Sequence, residues 1–550
     1  MYSDFCVEYF EVFIILWPNV SKIKRFGREI SYSSAKCTEK LEIWPKNTCK
    51  FQKFFLSLRS KSAIHIYMSE GNRIIGRKYE QHILKNICEE EEARLIAVYG
   101  RRRVGKTYLV KYFFDEKFDF FFTGSFETPM KTQLALFRDA LFQYSSEPRP
   151  MPKSWFEAFA QLKEYLQGLR KKRIVVFLDE MPWMDTPKSK FLAAFSYFWN
   201  TWGSTCDGLK LVVCGSATSW MLDNVVGDKG GLYGRSSRSI YVAPFSLFEV
   251  EQFLKLRKGI VWNRYQILEA YMILGGIPYY LDMLEKGLPF SQNIDNLLFR
   301  EKAPLRTEYD FLFRSLFKSS TNYRQVVEAV ATKNKGLTLM EIKGAMKKDN
   351  GGSLTEVLDN LCKCDFIRKY TPFGKKEKGS IYQLTDLYSL FYLKYIGNRT
   401  GLDEHYWSNI KESARNAWAG YAFEQVCLHH ISQIRGALSI KGVLTNVCSW
   451  SSPKQVDKDG TEWPGVQIDL LLCRGDHVID VCEMKYCQSE FVLTEKYEQH
   501  LRERNAIFAH FTKAKEALHT VLITTYGLKQ NLYSGNIDAV VTMDELFAAI

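Results

Sequence analysis

Two groups of residues in this 550-residue chain have the types and the spacing to do chemistry. The first begins at Gly100 and runs Arg101, Arg102, Arg103, Val104, Gly105, Lys106, Thr107, Tyr108. It satisfies G-x-x-x-x-G-K-[ST] and stands between a strand-like run, "RLIAVY", and a helix-like run, "YLVKYFF". Glycine at 100 and 105 lets the backbone curl until successive N–H groups aim at phosphate oxygens. Lys106 then reaches the β- and γ-phosphates, and Thr107 offers its hydroxyl to Mg²⁺. The cofactors this predicts are ATP and Mg²⁺. The side chains of Arg101, Arg102 and Arg103 are expected to face solvent, or otherwise to meet phosphate or DNA.

The same chemistry needs an acidic pair at the end of a strand, and "RIVVFLDE" supplies it. Asp179 is placed to hold Mg²⁺ through water, and Glu180 to polarise the attacking water. "LKLVVCGSATSW" ends its apolar run at Ser216, a hydroxyl placed to sense the γ-phosphate. Arg235 and Arg238, in "LYGRSSRSIYVAPFS", fall after the last core strand. There an arginine meets the phosphate held by a neighbouring subunit of a homo-oligomer, or simply lies on a surface loop.

The second group lies near the carboxy end, in "QIDLLLCRGDHVIDVCEMKY" (467–486). Charges inside apolar strands are costly unless paired or bound to a metal. If the stretch is a hairpin turning about Gly475, then Ile479, Val481, Glu483 and Lys485 share a face. Asp469 falls opposite Val481 and diagonally beside Glu483. Asp469 and Glu483 are then candidates to bind Mg²⁺, with Lys485 positioning a water. A one-residue slip would send Asp469 to the other face. Upstream, Ala417, Tyr421, Glu424, Leu428 and Ile431 make a helical stripe that is apolar except for Glu424, a glutamate in need of a partner. The plainer alternative is that Glu483 and Lys485 are a satisfied ion pair.

The elements that must position these residues follow from periodicity. From Ile74 to about Pro244, "RLIAVYG", "FDFFFTGS", "KRIVVFLDE" and "LKLVVCGSA" alternate with helical stretches, the pattern of a parallel sheet covered by helices. Helical character dominates to Phe317. Three short helices and a hairpin with the tip "GKKEKG" then describe a winged helix, and the remainder is mixed α/β. The predicted organisation is a leader of doubtful structure (1–67), an α/β P-loop ATPase core (68–244), a helical lid (245–317), a winged helix (318–403) and a mixed α/β domain (404–550).

"IIGRKYE", the loop before Lys106, "FLDE", "GSATSWM", "YGRSSRSI" with "PFS", and "LGGIPYYL", in that order, resemble the archaeal-type P-loop ATPases. These belong to the AAA+-related group near the origin-recognition and signalling NTPases. The resemblance covers roughly Asn72 to Ile396 and continues into the tail. It implies that Gly76 and Arg77 border the adenine pocket, and that Gly275, Gly276 and Pro278 form a lid motif contacting the nucleotide. The tail looks like the PD-(D/E)xK nuclease fold, a domain that family often carries, with Ile468 where the motif usually has Pro. That likeness implies DNA cleavage by Glu424, Asp469, Glu483 and Lys485.

Composition sets outer bounds. A net charge of +13 suits either solubility or a polyanionic partner such as DNA. The hairpin-tip lysines favour DNA, whereas Glu356 and Asp359 on the helix that would enter the groove oppose it. The 13 cysteines show no CxxC pair and no zinc spacing. The amino-terminal apolar run is too short to span a bilayer and lacks a signal peptide's basic start, so a reduced, cytoplasmic location without membrane attachment is expected. The sequence therefore predicts an ATP-hydrolysing protein whose nucleotide state controls a nuclease-like, DNA-directed tail. The alternative is a signalling or switch NTPase with a non-catalytic interaction domain.

Overall fold

The computed structural model describes residues 74–227, 237–317, 320–346, 351–397, 401, 403–456 and 460–549. The expected leader and Arg235 lie outside them. No helix of the described residues is long and apolar enough to cross a membrane.

The first sheet is parallel, with strands β1 (Arg94–Tyr99), β2 (Phe120–Thr123), β3 (Ile174–Asp179), β4 (Leu209–Gly215) and β5 (Ser237–Tyr241) in the order β2-β3-β4-β1-β5. Alternate residues serve opposite faces. Ile96, Val98, Val212 and Cys214 join one buried cluster, with Leu84 and Ile87 of α1 (Lys78–Glu89) and Leu109 and Val110 of α2 (Lys106–Phe113). Leu95, Ala97, Leu211 and Val213 join the other, under α3 (Met130–Ser145), α4 (Trp155–Gln167) and α5 (Phe191–Thr201). Because both faces are covered, the strands read as unbroken apolar runs rather than as an alternation.

β5 corrects the sequence reading. "SRSIY" is an edge strand paired with β1, so Arg238 lies on a strand rather than on a loop after the sheet. Its small polar residues carry no apolar signal, because an edge strand needs little burial.

A helical region follows, including α6 (Leu247–Phe253), α7 (Arg264–Leu274) and α8 (Glu308–Leu316). Next come α9 (Ser320–Val330), α10 (Leu339–Met346) and α11 (Gly351–Lys363). They accompany a small antiparallel sheet of β6 (Leu337–Thr338), β7 (Ile367–Tyr370) and β8 (Ile381–Leu384), ordered β6-β8-β7. The residues just before the hairpin tip are already engaged. The Phe373 N–H donates to the Ser449 carbonyl at 2.8 Å, and the Phe373 ring packs on Phe508.

After α12 (Leu387–Tyr395) and α13 (Glu412–His429), the last large sheet has the order β15-β14-β13-β12-β9. Its strands are β9 (Thr445–Ser452), β12 (Val466–Arg474), β13 (Val478–Lys485), β14 (Ala517–Thr524) and β15 (Ala539–Val541), with β10 (Gln455–Val456) and β11 (Glu462–Trp463) a separate small pair. β9, β12 and β13 are antiparallel. β13, β14 and β15 are parallel, with α14 (Glu495–Thr512) crossing from β13 to β14.

Two expectations about this sheet need correction. Leu470 pairs with Cys482 and Leu471 with Val481, so the hairpin turns one residue later than Gly475 and its register moves by two. A shift of two preserves the face, but β12 also carries a bulge between Ile468 and Leu471 against β9. Ile468 and Leu471 therefore share the cluster under α14, while Leu470 and Leu472 face the other way, and Asp469 sits inside the irregularity. Bulges re-aim side chains in this manner. On α13 the buried residues are Trp418, Ala419, Ala422, Phe423, Gln425, Val426 and Cys427, whereas of the expected stripe Ala417 is exposed and Tyr421 and Glu424 are half-buried.

Candidate functional site

At the carboxyl ends of β1, β3 and β4 the first group of predicted residues converges. Gly100 has φ 143°, and a Cβ there would stand 2.3 Å from the Val242 carbonyl oxygen. Gly105, at φ 90°, begins α2. Lys106 is buried, and its Nζ donates to the carbonyls of Gly100 and Arg101, each at 2.9 Å. The Thr107 hydroxyl donates to the two Asp179 carboxylate oxygens at 2.9 and 3.1 Å. Glu180, in a left-handed conformation at φ 47°, accepts from the Ser216 N–H at 3.2 Å and the Ser216 hydroxyl at 2.8 Å through one oxygen, Oε2. Burial pushes the Glu180 carboxyl above its ordinary range, against the pull of Lys106. A threonine hydroxyl and an aspartate carboxylate in contact are the hard oxygen donors that Mg²⁺ takes. Thr107 and Asp179 thus fit that ion.

Two of the loop arginines, Arg101 and Arg103, are not turned to solvent as expected. Arg101 is buried and paired with the equally buried Asp386, the N-cap of α12, while its guanidinium lies 4.9 Å from the centre of the Phe366 ring. Arg103 forks onto Glu308 of α8, with Nη2 to Oε2 at 2.7 Å, and covers the Tyr279 ring at 3.8 Å. That tyrosine follows Pro278 at the start of a short helix. Arg102 is half-exposed.

Arg77 donates from Nη2 to the Val104 carbonyl at 3.0 Å and from its backbone N–H to Glu249 at 2.8 Å, joining α1, the loop and α6. Gly76 admits the Glu249 carboxylate, which a Cβ would meet at 2.5 Å. Tyr108 accepts from Arg257 at 3.2 Å. Arg238 is 3.6 Å from Glu90 of its own chain. A cleft of about 1010 Å³ opens beside Arg77, Tyr99 and Arg101, reaching Asp365, Asp386 and His429.

The second group forms one electrostatic neighbourhood. Glu424 is pushed up to about 8, first by burial and then by Asp469 and Glu483, with Lys485 pulling the other way. Asp469 is raised by burial, and its carboxylate accepts from Gln467. Glu483 takes a different course. Burial opposes its charge, but Arg504 and Lys485 outweigh burial and hold its carboxyl below the usual range. Oε1 takes Lys485 Nζ at 2.8 Å and the Tyr497 hydroxyl at 2.5 Å, and Oε2 takes Arg504. Among the described residues no three acidic, histidine or cysteine side chains are grouped to hold a metal ion. Glu483 is thus engaged by Lys485, Arg504 and Tyr497, while Asp469 takes Gln467.

Sequence reading missed Asp386, Glu308, Arg504 and Tyr497. Asp386 carried a local signal, because an aspartate before "LYSLFYL" is a helix N-cap and it accepts from the Ser389 N–H at 3.0 Å. Nothing local marked it as the partner of an arginine 285 residues away.

Residues 75–284 match the model of an ATPase domain found predominantly in Archaea. An uncharacterized protein of Methanocaldococcus jannaschii is 27% identical over 369 residues, 66% of this chain and 77% of that protein. An uncharacterized ATP-binding protein of the same organism is 49% identical over 43 residues, which are 8% of this chain and 73% of its own length. Among solved structures, a Walker-type ATPase of Pyrococcus abyssi aligns with 58% of this chain and 96% of its own at 18% identity and a TM-score of 0.42. The ORC2 protein of Aeropyrum pernix aligns with 59% and 95% at 12% identity and a TM-score of 0.36. Through residues 75–284, the chain belongs to the family of ATP-binding P-loop ATPase domains found predominantly in Archaea.

Proposed function

We propose that this ATPase is a nucleotide-driven switch acting on its own carboxy-terminal domain. The observation that carries the reading is that two arginines of the phosphate-binding loop are ion-paired to later elements, Arg101 to Asp386 and Arg103 to Glu308. A triphosphate entering the loop competes for that backbone and for those guanidinium groups. Its arrival and hydrolysis therefore bear on α8 and α12. From there contact continues: Arg368 of β7 donates to Gln425 of α13 at 3.2 Å, beside Glu424.

Lys106 would leave the two carbonyls it now holds and neutralise the β- and γ-phosphates. Mg²⁺, held through Thr107 and Asp179, would supply charge neutralisation on the phosphate oxygens. Ser216 fixes one oxygen of Glu180, and the other is placed to polarise the attacking water. On this reading residues 68–244 are the ATPase core, 245–317 a lid, 318–403 a winged helix and 404–550 a PD-(D/E)xK-type domain. Lys106→Ala is expected to lower ATP hydrolysis by at least about 100-fold. Turnover near wild type in that variant would remove the assignment.

DNA cleavage by the tail is a second reading, favoured by the proximity of Glu424, Asp469 and the Glu483–Lys485 pair. It predicts nicking of plasmid DNA with Mg²⁺ or Mn²⁺, lost in Lys485→Ala. If neither protein nicks, the tail is an interaction domain and the switch reading stands alone.

A further inference from the structure

Cys448 of β9 and Cys473 of β12 have their sulfur atoms 3.6 Å apart. Cys473 pairs across the ladder with Asn446, and Cys448 with Leu471, so the two cysteines are diagonal neighbours. Cys448 is 6% exposed, whereas Cys473 is half-buried and the more accessible of the two. A disulfide bond is about 2.05 Å long, so closing it needs about 1.5 Å of approach, within reach of small side-chain rotations. We propose that this pair is an oxidant-reactive dithiol site, with Cys473 attacking a low-molecular-weight disulfide and Cys448 resolving the adduct into a β9–β12 cross-link.

The electrostatics agree with that division of labour. The hydrogen bond shared with Cys448 holds the Cys473 thiol below its ordinary range, although burial works the other way. The same bond and burial push the Cys448 thiol up. Thiolate is the attacking species, so Cys473 reacts first. With glutathione disulfide, the Cys473 thiolate attacks one glutathione sulfur, the oxidant's S–S bond breaks and one glutathione thiolate leaves. Cys448 then gives up its proton and attacks the Cys473 sulfur, expelling the second glutathione. Two protein thiols lose two electrons and two protons, and one glutathione disulfide becomes two glutathione molecules. The link closes beside the bulge that carries Asp469, and so would fix the strand pair on which that carboxylate is displayed.

The test is differential alkylation and peptide mass mapping of the full chain after exposure to glutathione disulfide, with half-buried Cys487 as internal reference. Wild type should yield a Cys448–Cys473 cross-linked peptide. Cys448→Ser should leave Cys473 as a persistent glutathione adduct, and Cys473→Ser should slow reaction at Cys448 at least about tenfold. Unchanged ATP hydrolysis in both variants reports intact folding. The proposal is overturned if wild type retains the adduct at Cys473 without closing, if Cys448 reacts as fast without Cys473, or if neither thiol reacts when Cys487 does.

Discussion

Half-buried Glu424 and buried His430, six residues apart, have opposite consequences for stability against pH. Glu424 ionises near 8 in the folded chain, whereas an unfolded glutamate ionises near its ordinary value of 4.5. Its folded pKa is raised, so its contribution is fully present below about 4.5 and is lost as pH rises through 8. Glu424→Gln keeps the shape and removes the charge. It should match wild type below pH 4.5 and exceed it by about 1–2 kcal/mol at pH 9, a few degrees in Tm. Thermal melts from pH 4 to 9 without divalent cations check this, and parallel curves would show that Glu424 is not held neutral. His430 runs the other way. Its Nδ1 bonds the Val426 carbonyl and its Nε2 accepts from the Leu247 N–H, while burial lowers its pKa from 6.5 to about 4. The neutral ring's contribution is full above 6.5 and is lost as pH falls through 4. Wild type should therefore lead His430→Gln by about 1–3 kcal/mol at pH 7.5, with the gap closing toward pH 4, as denaturant titrations at each pH would show.

At the scale of elements, the turn from β1 into α2 depends on two glycines for different reasons. Gly105 needs its positive φ, yet a Cβ there meets nothing closer than 4.0 Å. Gly100 needs both the conformation and the space, because the Val242 carbonyl lies 2.3 Å from a Cβ and Val242 is anchored by its N–H to the Tyr99 carbonyl at 2.8 Å. Gly105→Ala should cost about 1–2 kcal/mol and Gly100→Ala about 3 kcal/mol or more, with nucleotide binding lost first in the latter. Equal denaturation midpoints for the two variants would contradict that ordering. This loop was legible in the sequence because strand, glycines, lysine and helix are contiguous, and their roles follow from backbone geometry. The buried strands β1, β3 and β4 were legible as apolar runs. β5 was not, since its burial is slight, and neither was the β12 bulge, which depends on pairing with β9. The α13 stripe misled because Tyr421, Glu424 and Leu428 share a helical period, while packing against β13 and α7 chose a neighbouring face. Asp386 and Glu308 were illegible as ion-pair partners, because fold closure alone brings them to Arg101 and Arg103.

Across the whole molecule, the phosphate-binding loop is held by elements from three later parts of the chain. Val104 is bound by Arg77, which is fixed by Glu249 of α6, Arg103 is bound by Glu308 of α8, and Arg101 by Asp386 at the head of α12. A buried ion pair contributes little net stability but is costly to break, because the remaining charge is left uncompensated. Such pairs suit a two-position element: the loop rests with its arginines paired, and a bound triphosphate offers them and Lys106 a competing anion. Spatial continuity alone does not establish coupling; a change at the distant element that depends on the ligand does. A non-hydrolysable ATP analogue with Mg²⁺ should therefore alter amide exchange not only at residues 100–113 but also in α8 and α12. The expected change is at least about fivefold in rate, corresponding to the lower end of ordinary coupling energies. Lys106→Ala, which cannot grip the phosphates, should show no change at any of the three. Hydrogen-exchange mass spectrometry distinguishes the outcomes: protection confined to residues 100–113 would mean that the arginine pairs only brace the loop, and that nucleotide binding does not reach the carboxy-terminal sheet through α12.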